Sequence, residues 1–198
     1  IVTSLIGFAI ENVWLWITKG YIDNRNMNFP FLLGYGAAVV LIYALIGTPS
    51  GYGGAFALDE YSPEKRKLLY YCITFALVSV GEIIVGYTYR YLCGFDYWDY
   101  SGLPLHFTKY TSVFTSMGFA LMITLFMGYG FTPVIEYAEY NNSHDFHMYV
   151  YSADVLIVYD YFRSTLYMHE HRDFYSKWRI EKRYARKYLL TDRMYKAS

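Results

Sequence analysis

Cysteine is nearly absent: Cys72 and Cys93 are the only two among 198 residues. They lie 21 residues apart, and near opposite ends of one helix they would stand about 30 Å from each other, beyond the reach of a disulfide. A disulfide-stapled scaffold is excluded, and no oxidising compartment is implied. A phosphate loop of the GKS or GKT kind is also missing, so the chain carries no recognisable ATPase. There is no GxSxG elbow, no HExxH and no paired CxxC. His106, His144, His147, His169 and His171 therefore lack a metal-ligating pattern, and neither a metal nor another cofactor is expected. Net charge is zero, and nothing in the chain points to a nucleic-acid partner.

What is present is apolar. Hydrophobic residues make up 55% of the chain and aromatics 22%, too rich a mixture for an ordinary soluble domain of this size. The first apolar run carries Glu11 and Asn12 and precedes no small-residue cleavage site, so it reads as a retained membrane helix rather than a cleaved signal. The expected fold class is all-α: a polytopic membrane helical bundle.

Four segments have the length and character to cross a bilayer: Ile1 to Thr18, Phe31 to Gly47 (uncharged on to Leu58), Leu68 to Tyr89, and Tyr110 to Ile135. A fifth candidate, Met148 to Phe162, holds Asp154 and Asp160, and is open between a short span, an interfacial helix and a buried helix. The bundle is thus expected over residues 1–135, with residues 136–198 as a C-terminal region ending in a basic amphipathic helical tail. From Arg172 to Ser198 nine Lys or Arg face three Asp or Glu. With four spans that tail shares a side with Lys65, Arg66 and Lys67, which makes the side cytoplasmic and puts the loops after the first and third spans outside. Either span count leaves those two loops on one face.

Glu11 precedes Lys19, and Glu82 precedes Arg90, by eight residues, so both acids are expected about 12 Å inside that face. An ionisable group in hydrocarbon is costly and normally meets a partner or a polar cavity, which makes Glu11 and Glu82 candidates for a substrate or ion site. The plainer alternative is a hydrogen-bonding anchor between helices. Arg25, in "DNRNMNFP", is a third candidate because a guanidinium grips phosphate or carboxylate through paired hydrogen bonds; the alternative is a side chain reaching lipid phosphates. Asp99, in "YWDYSGLP", is the fourth: it could pair with Arg25 or Arg90, or shape a turn with Ser101. Asn24, Trp98, Tyr100, Ser101 and Pro104 are expected to structure the loops. The halves share a plan, an acid-bearing helix, a polar loop near Pro30 or Pro104, then an uncharged helix, which is open between a parallel repeat and coincidence, since the loops share little sequence.

The stretch "GEIIVGYTYRYLCGFDYWDYSGLP" resembles the signature of the ABC-transporter type IV membrane proteins, the CmpB-like family. Glu82, Gly86, Trp98, Asp99, Tyr100, Ser101 and Pro104 carry the resemblance, with Glu11, Arg25, Pro30 and the Gly34 to Gly36 triplet in the first half. It covers about Gly7 to Gly118. The chain departs from the family pattern at Asn26, where the family has glycine, at Phe29, where it has Gly-Pro in place of Phe29-Pro30, and at His106, where it has asparagine. The resemblance implies a permease-like membrane component of a transporter in the cell membrane. Its polar site would involve the four candidates, its energy a separate ATPase or an ion gradient, and its partners the lipid bilayer and a second copy or another membrane subunit. An intramembrane enzyme acting on a lipid head group with a carboxylate base and Arg25 on phosphate is the alternative. A non-catalytic assembly subunit is the third reading.

Overall fold

The computed structural model describes residues 1–56 and 58–182. The described residues are mostly helical, 66% of them, with few strands. In order it forms α1 (Val2–Thr18), β1 (Tyr21–Asp23), α2 (Leu33–Ile46), α3 (Pro63–Cys93), β2 (His106–Thr108), β3 (Thr111–Ser112), α4 (Val113–Leu125), α5 (Phe131–Tyr140), α6 (His144–His171) and β4 (Arg179–Glu181). A π-helical turn over Phe126–Gly130 joins α4 to α5. Pro133 lies just inside α5 and has no N–H to give, and a widened turn upstream accommodates it. Two compact units result: Ile1–Gly36 with the residues from Tyr151 onward, and Ala37–Val150.

Local chemistry sets the helix ends. Pro63 opens α3 behind Ser62, and Glu64 lies in its first turn, where the helix dipole favours an acid. Gly94 closes it at φ 80°, its N–H donating to the Arg90 carbonyl. At α4 the Ser112 hydroxyl accepts from the Thr115 N–H and the Thr115 side chain accepts from the Ser112 N–H, a reciprocal capping box. Helix therefore starts at Val113 rather than Tyr110, and through the π turn it continues to Tyr140, past the expected end at Ile135.

Helices α1, α3 and α4 are apolar outside and bury mainly small or polar residues. Along α1 the buried residues are Ser4, Gly7, Asn12 and Leu15, whereas Val13, Trp14 and Ile17 are exposed. In α4, Ser116 and Ala120 are buried and Phe114, Leu121 and Leu125 exposed. Helix α3 buries Thr74, Ser79 and Gly86 and exposes Val80 and Ile84. A soluble bundle would reverse this pattern, while small residues at helix contacts and apolar residues outside suit a lipid solvent. Among the described residues, two helical stretches are long and apolar enough to cross a membrane, Pro63–Cys93 and Val113–Tyr140.

The helices matching the first two expected spans are shorter. Helix α1 has 17 residues and α2 has 14, about 26 Å and 21 Å against a hydrocarbon core of about 30 Å. The apolar chain after α2 folds back on it, Ala55 N–H donating to Ala44 O and Phe56 N–H to Leu45 O. This doubling back needs glycine: a Cβ on Gly47, at φ 69°, would lie 2.3 Å from the Gly53 carbonyl oxygen. The core of the second unit gathers here, from Val39, Ile42, Ile46, Leu58, Tyr70 and Met127.

The C-terminal segment differs from expectation in its described part. Helix α6 ends at His171, and Arg179–Glu181 is a strand, antiparallel to β1 with Ile180 opposite Ile22. Extended chain wins over an amphipathic helix because the first loop binds it: Asn24 Oδ1 accepts from Lys177 N–H and Asn24 Nδ2 donates to Tyr175 O. The Arg179 guanidinium lies 3.6 Å from the Tyr21 ring centroid. Residues 183–198, which hold much of the basic tail, are outside the described residues.

Candidate functional site

In the first unit, Glu11 projects from α1 and both of its oxygens are engaged. Oε2 accepts from Arg25 Nη2 at 2.8 Å, and Oε1 accepts from the Tyr35 hydroxyl at 2.9 Å. The ion pair is mostly buried, with 25% of the Glu11 side chain and 17% of the Arg25 side chain exposed. Arg25 Nη1 also lies 3.8 Å from Asp23 Oδ1. Backbone geometry aims the arginine inward: Arg25 and Asn26 have φ of 46° and 62°, and the Arg25 N–H donates to Asp23 Oδ1. Asn26 thus occupies the left-handed region, which explains glycine at this position in the family pattern and asparagine as a tolerated replacement.

The rest of this loop is fastened by α6 and the strand-forming tail. The Asp160 carboxylate accepts from the Asn28 and Phe29 N–H groups, 2.8 Å each at Oδ2, and from the Asn28 side-chain amide. The Tyr175 hydroxyl donates to Asn28 Oδ1. Asn24 spans the turn through Met27 O as well as Tyr175 O.

In the second unit, Glu82 Oε2 accepts from the hydroxyls of Thr111 and Ser116, both at 2.8 Å. Thr111 and Ser116 are fully buried. The following loop is tied elsewhere. Asp99 Oδ1 accepts from the Ser101 N–H at 2.7 Å, an Asx turn, and hydrogen bonding to the Ser101 side chain, then to its N–H, holds the exposed carboxyl below the usual carboxylate range. Trp98 Nε1 donates to Tyr110 O at 2.8 Å, Tyr100 N–H donates to Lys109 O, and Pro104 precedes Leu105, whose φ is 54°. The ionic centre is Asp96 rather than Asp99. Asp96 meets Lys109 at 2.8 Å, Arg90 at 3.6 Å and the Tyr110 hydroxyl at 2.6 Å. Hydrogen bonds from Lys109 and then Tyr110 hold the Asp96 carboxyl below its ordinary value, and the bond to Asp96 raises Lys109.

The two units repeat one device. A Cβ on Gly7 would lie 2.3 Å from Cγ of Tyr35, and one on Gly86 would lie 2.3 Å from Cγ of Tyr110, so each helix glycine cradles a tyrosine at or just past the end of the following loop. One turn after each glycine stands a charged residue, Glu11 or Arg90, paired with a loop partner of opposite sign, Arg25 or Asp96. In both, the tyrosine hydroxyl donates to the acid. The counterpart of Glu11 is therefore Arg90, with the signs of helix and loop exchanged. Equal spacing to Lys19 and Arg90 misjudges depth because Lys19 lies beyond the end of α1 while Arg90 is still within α3. Glu11 is seven residues from Thr18 and Glu82 eleven from Cys93, about 10 Å and 17 Å from the helix ends.

The family described as "Putative ABC-transporter type IV" matches residues 1–165. The chain belongs to this family. The match takes in both glycine cradles, both ion pairs, and Asp160. No curated protein and no solved structure matches the chain. ABC-transporter type IV membership gives the chain a transport-associated role and agrees with the two membrane-length apolar helices.

Several residues central to this geometry were not among the site candidates read from the sequence: Tyr35, Asp96, Lys109, Tyr110, Thr111, Ser116 and Asp160. Asp160 had a signal, since an acid in an apolar helix needs partners. The tyrosines had none, because 25 are present and nothing local distinguishes the two that fill glycine cradles.

Proposed function

We propose that this ABC-transporter type IV protein is a permease-like membrane subunit in which the polar cluster set into the apolar helices of each unit serves transport. The observation that carries the reading is the pairing of each helix acid, Glu11 and Glu82, with groups from the loop or helix that follows. Polar groups in a lipid-facing bundle are retained at a cost, and a path for solute or ions is the common reason. Since the chain has no phosphate loop, energy comes from a separate ATP-hydrolysing subunit or an ion gradient. The lipid-enzyme reading needs Arg25 turned to phosphate, and its bond to Glu11 speaks against that.

The same proposal includes five crossings in place of four. Pairing of β4 with β1 keeps the start of the tail beside the first loop, and only an additional crossing by α6 returns the chain to that face. Helix α6 has 28 residues, about 42 Å. It buries Ile157, Asp160, Ser164 and Met168 and exposes Val155, Leu156, Tyr159, Phe162 and Leu166, the same apolar-outside pattern as α1 and α3. Of the 12 Lys and Arg among the described residues, only Lys65, Arg66 and Lys67 fall on the opposite face and Arg163 within α6. The positive-inside rule then makes the face of the tail and both loops cytoplasmic, where an ATP-hydrolysing subunit would dock.

Purification in mild detergent from the native host tests this. The chain should bring an ATP-hydrolysing subunit, and Glu11→Gln or Arg25→Ala should change ATP turnover by that complex. A chain that purifies alone, or turnover indifferent to both substitutions, would count against the reading.

A further inference from the structure

We infer that Arg163 and Lys177, converging on Tyr175, form a site for the headgroup of an anionic phospholipid in the leaflet on the side of the tail. The inference rests on the reading that α6 crosses the membrane, and it names what one exposed strip of that helix meets. Arg163 is the only Lys or Arg between Lys109 and Arg172, and it is exposed on a helix whose outer face is apolar. Its neighbours one turn away on that surface, Tyr159 and Leu166, are exposed as well. A cation on a lipid-facing surface is costly unless its stem carries the charge toward the headgroups. The side chain does this: Arg163 Nη1 donates at 3.3 Å to the hydroxyl of Tyr175, which belongs to the segment after α6. Depth agrees. The Asp160 carboxylate accepts from the Asn28 and Phe29 N–H groups, so that turn of α6 is level with the first loop. Arg163 lies three residues nearer the helix end, about 4.5 Å, and His171 closes the helix about 12 Å farther on. The headgroup layer is about 5–8 Å deep on each side of the hydrocarbon, so a phosphate beside Arg163 stays within it.

Charge complementarity identifies the occupant. Lys177 Nζ lies 5.4 Å from the centroid of the same Tyr175 ring, so two cations meet at one phenol. Among the described residues no carboxylate is ion-paired with either of them. The acid nearest to Arg163 in sequence, Asp160, is committed to the first loop, and Asp173 accepts from the Phe174 N–H. Like charges brought together repel, and a phosphodiester between them turns that repulsion into attraction. A guanidinium has five N–H donors. One goes to Tyr175, which leaves others for the two free oxygens of the phosphate. The receiving surface is already fixed. The Tyr175 hydroxyl donates to Asn28 Oδ1 at 2.8 Å, and Tyr167 meets the Tyr175 ring edge-on at 4.9 Å while stacking on His171 at 4.0 Å. Beneath the phosphate, the acyl chains run along Tyr159 and Leu166.

Native mass spectrometry of the delipidated full chain in detergent, titrated with phosphatidylglycerol, counts bound lipids and gives the affinity of the first. Arg163→Gln and Lys177→Gln should each weaken that first binding by about five-fold, the usual worth of one basic residue beside an anionic headgroup. Arg163→Lys, which keeps the charge and loses the fork, should fall between Arg163→Gln and the parent. Lys67→Gln, which removes an equal charge from the opposite face, should bind as the parent does. Phosphatidylcholine with the same acyl chains should bind more weakly and be indifferent to all of these variants. Because Arg163 and Lys177 are exposed, the variants should keep the parent's melting curve by circular dichroism. First binding of phosphatidylglycerol that is unchanged in both glutamine variants would overturn the inference. Displacement of the lipid by excess inorganic phosphate at constant ionic strength would also overturn it, since the ligand would then be a soluble phosphate. Thiol labelling of Ser143→Cys and Ser176→Cys in sealed vesicles reads the crossing of α6 independently. Labelling from opposite sides, together with unchanged lipid binding, would remove the headgroup site and leave the crossing; labelling from one side would remove both.

Discussion

Substituting Gly86 with alanine tests whether the glycine cradle holds the loop after α3. A Cβ there would lie 2.3, 2.6 and 2.7 Å from Cγ, Cδ1 and Cβ of Tyr110. These contacts involve the root of a fully buried ring whose hydroxyl is fixed to Asp96, so the ring cannot swing away cheaply. Overpacking of this kind costs about 1–3 kcal/mol, against which alanine recovers up to about 1 kcal/mol of helix propensity. Gly81, on the same helix, has nothing within 4 Å of its would-be Cβ and supplies the control. Gly81→Ala should be neutral or stabilising by up to about 1 kcal/mol, whereas Gly86→Ala should destabilise by up to about 2 kcal/mol net. In a Tyr110→Ala background, which is itself costly, Gly86→Ala should no longer destabilise, giving a coupling of about 1–3 kcal/mol in the double-mutant cycle. Stability read from denaturant titrations in detergent, by circular dichroism, measures all four combinations. If Gly86→Ala matches Gly81→Ala, the cradle carries no energy and the reasoning fails.

Asp160→Ala should destabilise by about 1–3 kcal/mol for each of the Asn28 and Phe29 N–H groups left without an acceptor, measured the same way, and proteolysis of the first loop should quicken. Asn26→Gly should be neutral or slightly stabilising, because φ there is 62°, while Asn26→Val should cost about 1 kcal/mol or more in the same titration. The latch on Asp96 should respond to acid. Its carboxyl is held below the ordinary 3.8 in the folded state, so its contribution is fully present above that value and is lost as the pH falls through the lower folded value. Tryptophan emission, to which Trp98 beside Tyr110 contributes, should therefore show a transition below pH 3.8 that Asp96→Asn lacks; a transition above that value would contradict the assignment.

Period and composition make the helical, membrane-facing character of the chain legible, since uninterrupted apolar runs leave few alternatives. Glu11 and Arg25 were each legible as candidates because charged residues stand out in such surroundings. The identity of their partners was not, because it depends on where the loop returns. Arg25 meets Glu11 only because residues 25 and 26 adopt left-handed backbone, which a sequence of asparagines permits without announcing. Asp99 drew notice from its place in WDYS, yet Asp96 collects Lys109, Arg90 and Tyr110, and no local pattern separates two acids three residues apart. The strand at Arg179–Glu181 escaped because its alternating charge suits a helix as well as an extended edge, and the partner that decides is more than 150 residues away.

Sidedness of the tail tests the account most directly. In a Cys72→Ala, Cys93→Ala background, single cysteines at Lys19, Gly102, Ser143 and Ser176, all exposed positions, can be probed in sealed vesicles with a membrane-impermeant thiol reagent. The account predicts that Lys19→Cys, Gly102→Cys and Ser176→Cys react from one side and Ser143→Cys from the other. Reaction of Ser176→Cys together with Ser143→Cys would contradict it, because the tail could then neither pair with β1 nor share a face with the loops.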